Sequence, residues 1–174
     1  FMDYIKQYIP ADGLILAVYD PQTNVGRMLA SIYPSGVKRP SSTIAIPPQL
    51  WEWSKQQWEE EAETGYINDL DADEPEIREI NQLIWPDAGS GMHMDLELER
   101  HRLGILLLFS IQKNRYTDDH VELLSLLHDP MISALGNLLK HQEIVRLHQM
   151  LADDNEYLNQ RLLEMSGDTI IGAD

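Results

Sequence analysis

The spacing of apolar residues changes several times along this chain, and each spacing predicts an element. Phe1, Ile5, Tyr8 and Ile9 share one helical face, so the chain is expected to begin within a helix. Pro10, Asp12 and Gly13 punctuate it, and residues 14–20 form an apolar run of strand length. A turn over 20–24, built on Asp20-Pro21, leads to a second strand over 25–32, which makes a hairpin. Residues 43–46 predict a short strand. Pro48 suits the first turn of a helix running to about Ala62, with Trp51, Lys55 and Trp58 on one face. A further short strand is expected over 65–69. Pro75 then opens a helix through Ile77, Ile80 and Ile84, which Pro86, Gly89 and Gly91 end.

The second half is more regular. From Met92 to Leu98 the alternation is strict: Met92, Met94, Leu96 and Leu98 on one side, His93, Asp95, Glu97 and Glu99 on the other. This predicts a half-buried strand. Arg100-His101-Arg102 allows a tight reversal into residues 103–111, whose nearly continuous apolar character predicts a central strand covered on both faces. Thr117, followed by Asp118 and Asp119, places a capping hydroxyl and two carboxylates at the start of a long helix. Pro130 removes a backbone donor, so a kink or break is expected near residues 128–130.

Beyond Gly136 the apolar face narrows to a seam. Ile144, Leu147 and Leu151 follow three-four spacing, and Leu158, Leu162 and Met165 resume it after an extra four-residue step through Asn155. A thin stripe extending past a core is of little use to a monomer, whereas a parallel dimer buries it between two copies. A homodimer through these seven residues is therefore expected. Asn155 either forms a polar pair that sets the register or is a solvated side chain. Ser166 and Gly167 supply a stop signal.

Charge and composition narrow the function classes. The 174 residues carry 13 basic and 29 acidic side chains, a net charge of -16, which repels a phosphate backbone. Direct nucleic-acid binding by this segment is not expected. No cysteine is present, which removes disulfides, thiolate metal sites and cysteine catalysis and accords with a cytoplasmic setting. The longest apolar run, 103–111, falls well short of the roughly 20 residues that span a bilayer, so no membrane partner is expected. The six histidines show neither an i,i+4 pair nor HExxH, so no metal site is expected. No activated serine, lysine or carboxylate pair follows from spacing, and an enzyme is not expected.

The order helix, hairpin, helical insertion, second hairpin and long exit helix resembles the GAF domain. The stretch SGMHMDLELERHRLGILLLFSIQKNRYTDDHVELLSLL is similar to that family's last two strands and the start of its final helix. The resemblance covers residues 1–139 and implies an α+β fold: an antiparallel sheet with helices on both faces, here followed by a long C-terminal coiled-coil helix. The string HQEIVRLHQMLADDNEYLNQRL, followed by DTIIGAD, resembles the linker that joins a sensory domain to the AAA+ ATPase domain of sigma-54-dependent transcriptional activators. On that resemblance 1–139 is the sensory domain, 140–167 the coiled-coil signalling helix and 168–174 the start of the AAA+ domain. The parent protein would then contact sigma-54 RNA polymerase and DNA.

GAF domains often hold a small molecule between the sheet and the helical insertion. Trp51, Trp58, Trp85, Met92 and Met94 are accordingly candidates to line a pocket, the other reading being ordinary core packing. His93, on the polar face of its strand, either contacts the ligand or faces solvent. Without cysteine, a covalent bilin, the reductase activity of some GAF proteins and a cysteine-containing iron site are not expected. The NKxxF signature of cyclic-nucleotide binding is also missing. Any cofactor and the ligand itself remain unspecified. A GAF fold without ligand, serving only to dimerise or to contact another protein, is the alternative.

Overall fold

The computed structural model describes residues 5–20, 23, 25–35, 41–60, 63–72, 74–98 and 101–168, with backbone alone at 58–60, 101 and 164–168. Its elements are β1 (Gly13–Asp20), β2 (Val25–Ile32), β3 (Thr43–Ala45), α1 (Pro48–Glu60), β4 (Thr64–Ile67), α2 (Pro75–Ile84), β5 (Ser90–Leu98), β6 (His101–Ser110), α3 (Asp118–Ser125) and α4 (His128–Asp168). The six strands form one antiparallel sheet in the order β3-β2-β1-β6-β5-β4. Contacts divide the chain into two compact units, Phe1–Ile132 and Ser133–Asp174.

Both hairpins carry a bulge. Leu16 pairs with Ala30 but Ala17 with Met28, which leaves Leu29 extra on β2, and Leu103 is extra on β6 in the same way. β1 and β6 approach closely at the sheet centre. A Cβ on Gly104 would lie 2.2 Å from the Ala17 carbonyl oxygen, so only glycine fits there.

Strand periodicity sorts the sheet residues onto two faces. The register aligns Tyr66, Met92, Leu108 and Leu14 across four strands on one face. Here Met92, Met94, Leu96, Leu106 and Leu108 are essentially inaccessible. Burying each aliphatic side chain to this degree contributes about 1.5–3 kcal/mol. Helix α3 packs against β4 and β5, and the Tyr66 hydroxyl donates to Asp118 at its first turn at 3.2 Å. The Thr117 hydroxyl and the His120 ring close a capping box at the same helix start. The opposite face carries a second core of Ile15, Tyr33, Leu70, Trp85, Ala88 and Phe109, against which Ile77 and Ile84 of α2 pack.

The GAF-like α+β architecture and the long C-terminal helix expected from the sequence are both present, with several differences in detail. The predicted half-buried strand is covered on both sides, since Asp95 of its polar face is 7% exposed, while Leu98 at its end is exposed. His101 and Arg102, expected in the reversal, already belong to β6. The helix break falls at Leu126–Leu127, before His128, and Pro130 sits in the first turn of α4, where its missing donor costs nothing. Ser166 and Gly167 do not end that helix, which runs to Asp168. Residues 1–4 of the expected first helix and 169–174 lie outside the described residues. Ile5 and Ile9 of that first segment are buried, and the Ile9 amide donates to the Ile5 carbonyl at 2.8 Å.

The second unit is described by α4 alone. Ile144, Leu147, Leu151, Leu158 and Leu162 are each about half exposed or more within the single chain. Asn155, also exposed, donates from Nδ2 to the Leu151 carbonyl at 3.0 Å. The Met165 side chain lies outside the described residues. Among the described residues, no helix is long and apolar enough to cross a membrane.

Candidate functional site

A cavity of about 430 Å³ lies between the sheet and helices α1 and α2. That size suits a small organic ligand. Its floor is the odd-numbered face of the strands: Tyr19 of β1, Ile105, Leu107 and Phe109 of β6, and His93 and Asp95 of β5. Ile105 and Leu107 are only partly buried because they face this space, while their neighbours Leu106 and Leu108 are fully buried on the other side. Gly65 and Gly91 complete the floor. A Cβ on Gly65 would fall 2.9 Å from the His93 ring, so the missing side chain gives that imidazole its place.

The roof follows from helix periodicity. Trp53, Ser54 and Gln57 lie on consecutive turns of α1, and Ile77, Ile80, Asn81 and Ile84 form the inward stripe of α2. A smaller apolar hollow of about 90 Å³ adjoins the cavity under Met28, Ile44 and Leu50, and shares Tyr19, Ile80 and Ile105 with it.

Three polar features mark the site. Asp95 is ion-paired with Arg102, and both side chains are about nine-tenths buried. Such a pair holds while both partners are present, and losing either one leaves a buried charge. The Tyr19 phenol is pushed well up, first by burial, then by the Asp95 carboxylate, with Arg102 opposing, so it stays a neutral hydrogen-bonding group. Asn81 is 4% exposed and donates from Nδ2 to the Ala88 carbonyl at 3.4 Å, while its Oδ1 is buried without a hydrogen-bond partner.

The cavity wall is tied to the start of the exit helices within the first unit. Asn68, just after β4, accepts from the Tyr116 amide at 2.9 Å and donates to the Tyr116 carbonyl at 2.9 Å. His128 at the start of α4 meets Glu63, immediately before β4, through its Nε2.

Of the candidates read from the sequence, His93 and Met92 lie at the cavity. Met92 belongs there by its backbone position, because its side chain sits in the core of the opposite face. Met94 is fully buried on that same opposite face. Trp85 is a core residue, edge-on to Tyr33 and Phe109 at 5.6 Å each. Trp51 is buried against Tyr19, with ring centroids 5.5 Å apart, and the Trp58 side chain lies outside the described residues. Sequence reasoning missed Tyr19, Trp53, Gln57, Asn81 and Asp95. Two signals were available: Asp95 shares the strand face of His93, and Asn81 interrupts the isoleucine stripe of α2.

No protein-family model and no curated protein matches the sequence. Solved structures do. The blue-light absorbing form of the PixJ GAF domain from Thermosynechococcus elongatus is similar at 17% identity, over 84% of this chain and 88% of that one, with a TM-score of 0.61. The GAF domain of a two-component sensor histidine kinase from Bacillus halodurans is similar at 17% identity, over 80% and 91%, with a TM-score of 0.57. The type II free methionine-R-sulfoxide reductase of Thermoplasma acidophilum is similar at 15% identity, over 78% and 86%, with a TM-score of 0.57. The neighbours are thus sensors for the most part, with reductases among them, and what they have in common with this chain is the fold of the GAF domains.

Proposed function

We infer that this chain is a regulatory sensor domain that binds a small molecule in the cavity between the sheet and helices α1 and α2. The observation that carries this reading is the cavity itself: about 430 Å³, largely apolar, with a few buried polar groups, which is the usual build of a small-molecule site. A domain used only to hold a dimer together has no need of it. The same strand that supplies part of the cavity floor, β4, is tied through Tyr66, Asn68 and Glu63 to the starts of α3 and α4. Occupancy of the cavity would bias that connection and so the exit helix. Cysteine is absent from the whole sequence, so thiol chemistry is unavailable to the domain and a binding role is favoured over a reductase.

The output follows the linker-like sequence of the C-terminal segment. The half-exposed stripe of Ile144, Leu147, Leu151, Leu158 and Leu162 would pair with a second copy in a parallel coiled coil, and the parent protein would pass the signal to an AAA+ domain of the sigma-54-activator type. The test is native mass spectrometry of the purified chain against its denatured mass. A dimer carrying extra, denaturant-releasable mass is the expected result, and a bare monomer at micromolar concentration would refute both halves of the reading.

A further inference from the structure

Helix α1 connects β3 to β4, the strands at the two edges of the sheet, so it has to cross the sheet. Its 13 residues are about 20 Å long, close to the roughly 24 Å between the edges of a six-stranded sheet. The two empty spaces follow one another along this crossing. The hollow of about 90 Å³ is lined from β3, β2, β1 and β6, and the cavity of about 430 Å³ from β1, β6, β5 and β4. They meet over β1 and β6, where Tyr19, Ser54, Ile80, Ile84, Ile105 and Leu107 line both.

The inner face of α1 changes character in the same direction. Leu50, Ser54 and Gln57 stand at i, i+4 and i+7, and so share a face. Leu50 lines the hollow, Gln57 the cavity, and Ser54 both. The Ser54 hydroxyl donates to the Trp51 carbonyl of its own helix at 2.9 Å, so α1 places a small side chain with its polar group engaged at the junction. Past the junction the hollow is lined by the apolar side chains of Met28, Ile44, Ile46 and Leu50. On the cavity side Gln57 of α1 and His93 of β5, both partly exposed, bring polar atoms to the lining. Voids larger than a water molecule are few in a folded domain, and an apolar one stays dry and takes up apolar molecules.

We propose that the sensed molecule is elongated and two-ended, with a hydrogen-bonding head over β5, at Gln57 and His93, and a short unbranched apolar arm that passes Ser54 into the hollow over β2. This rests on the cavity being the sensory site. β5 and β2 are three strand spacings apart, about 14 Å, which sets the length of the molecule. Ser54 acts as the specificity residue, because its size decides whether the arm can pass.

The probes are benzamide and its 4-alkyl derivatives from methyl to hexyl, titrated into the unmodified chain and followed through isoleucine δ-methyl resonances. Ile67 and Ile77 line the cavity and not the hollow, and Ile44 and Ile46 the hollow and not the cavity. Benzamide is expected to shift the first pair only, and 4-butylbenzamide both pairs. Affinity is expected to rise about threefold to fourfold for each methylene and to level off near butyl, where the hollow is full. In Ser54→Leu the gain from the arm is expected to disappear and Ile44 and Ile46 to stay unshifted. In Gly26→Ala, whose added Cβ would lie 3.5 Å from Ile46 Cδ1 in ordinary contact, the levelling is expected about one methylene earlier. Affinity independent of arm length, a gain without any shift of Ile44 and Ile46, or no binding of any probe up to its solubility would each overturn the proposal. If one of these occurs while native mass spectrometry finds a retained small molecule, the two-ended ligand is wrong and the sensor reading stands. If the native spectrum shows no retained mass and no probe binds, both fall.

Discussion

Replacing Gly91 with alanine is expected to stabilise the protein and to weaken whatever occupies the cavity. The nearest atoms to a Cβ at this position would be those of the Phe109 ring at 3.5 and 3.6 Å and Leu70 Cδ1 at 3.6 Å, which is ordinary van der Waals contact. Glycine in a strand interior costs about 0.5–1 kcal/mol relative to alanine through the freedom of its unfolded chain. The added methyl group, facing the cavity, contributes about 0.8 kcal/mol by burial. The gain should therefore lie near 1–2 kcal/mol, which for a chain of this size raises Tm by about 3–6 °C. Gly104→Ala is the control with the opposite sign, because its Cβ would collide with the Ala17 carbonyl oxygen where β1 and β6 meet. Both variants are read by calorimetry, with the retained ligand measured in parallel. A lower Tm for Gly91→Ala, or an unchanged one for Gly104→Ala, would refute the reasoning. It would mean that the space beside each glycine does not decide what its substitution does.

Arg102→Met should cost about 3 kcal/mol in urea unfolding, since it removes the countercharge of the buried Asp95 carboxylate, and the double variant with Asp95→Asn should recover part of the loss. Folding raises the Tyr19 and Tyr116 phenols, chiefly by burial, so their contribution to stability is complete below about pH 10 and is lost as pH rises from there through the folded-state values. Phenolate absorbance at about pH 11 should therefore reveal these two only when the protein unfolds. Leu151→Asp places a charge in the proposed seam and is expected to convert a dimer into a folded monomer with an unchanged Tm for the first unit. Light scattering and circular dichroism check this, and a variant that stays dimeric would place the interface elsewhere.

Most of the fold was readable from the sequence because local signals agreed with tertiary demands. The strand over 25–32 and the helix over 75–84 have the bounds their patterns predicted, the latter because Pro75 fixes the first turn and Pro86 holds the residue before it, Trp85, out of the helical conformation. Where the reading differed, tertiary context decided. Pro130 was expected to break a helix, but the chain had already turned at Leu126–Leu127, and a proline in a first turn is harmless. The site was less readable because a cavity is made by residues distant in sequence. Large aromatic residues drew attention to Trp51 and Trp85, yet both are packed against other rings. Trp53, two residues from Trp51, lies on the cavity side of α1. Alternation along β5 correctly separated Met92 and Met94 from His93 and Asp95. The polar side of that strand is the one facing the cavity, and no single-strand pattern says whether solvent or a binding site lies opposite.

A crystal structure of the chain purified from its own cells would test the central claim most directly, through the electron density between β5, β6 and α2. Continuous density larger than ordered water, in contact with Ile80, Leu107 and Asn81, is the predicted result. A cavity holding only scattered water, or one closed by Trp53 and the isoleucines of α2 packing onto the sheet, would contradict the account.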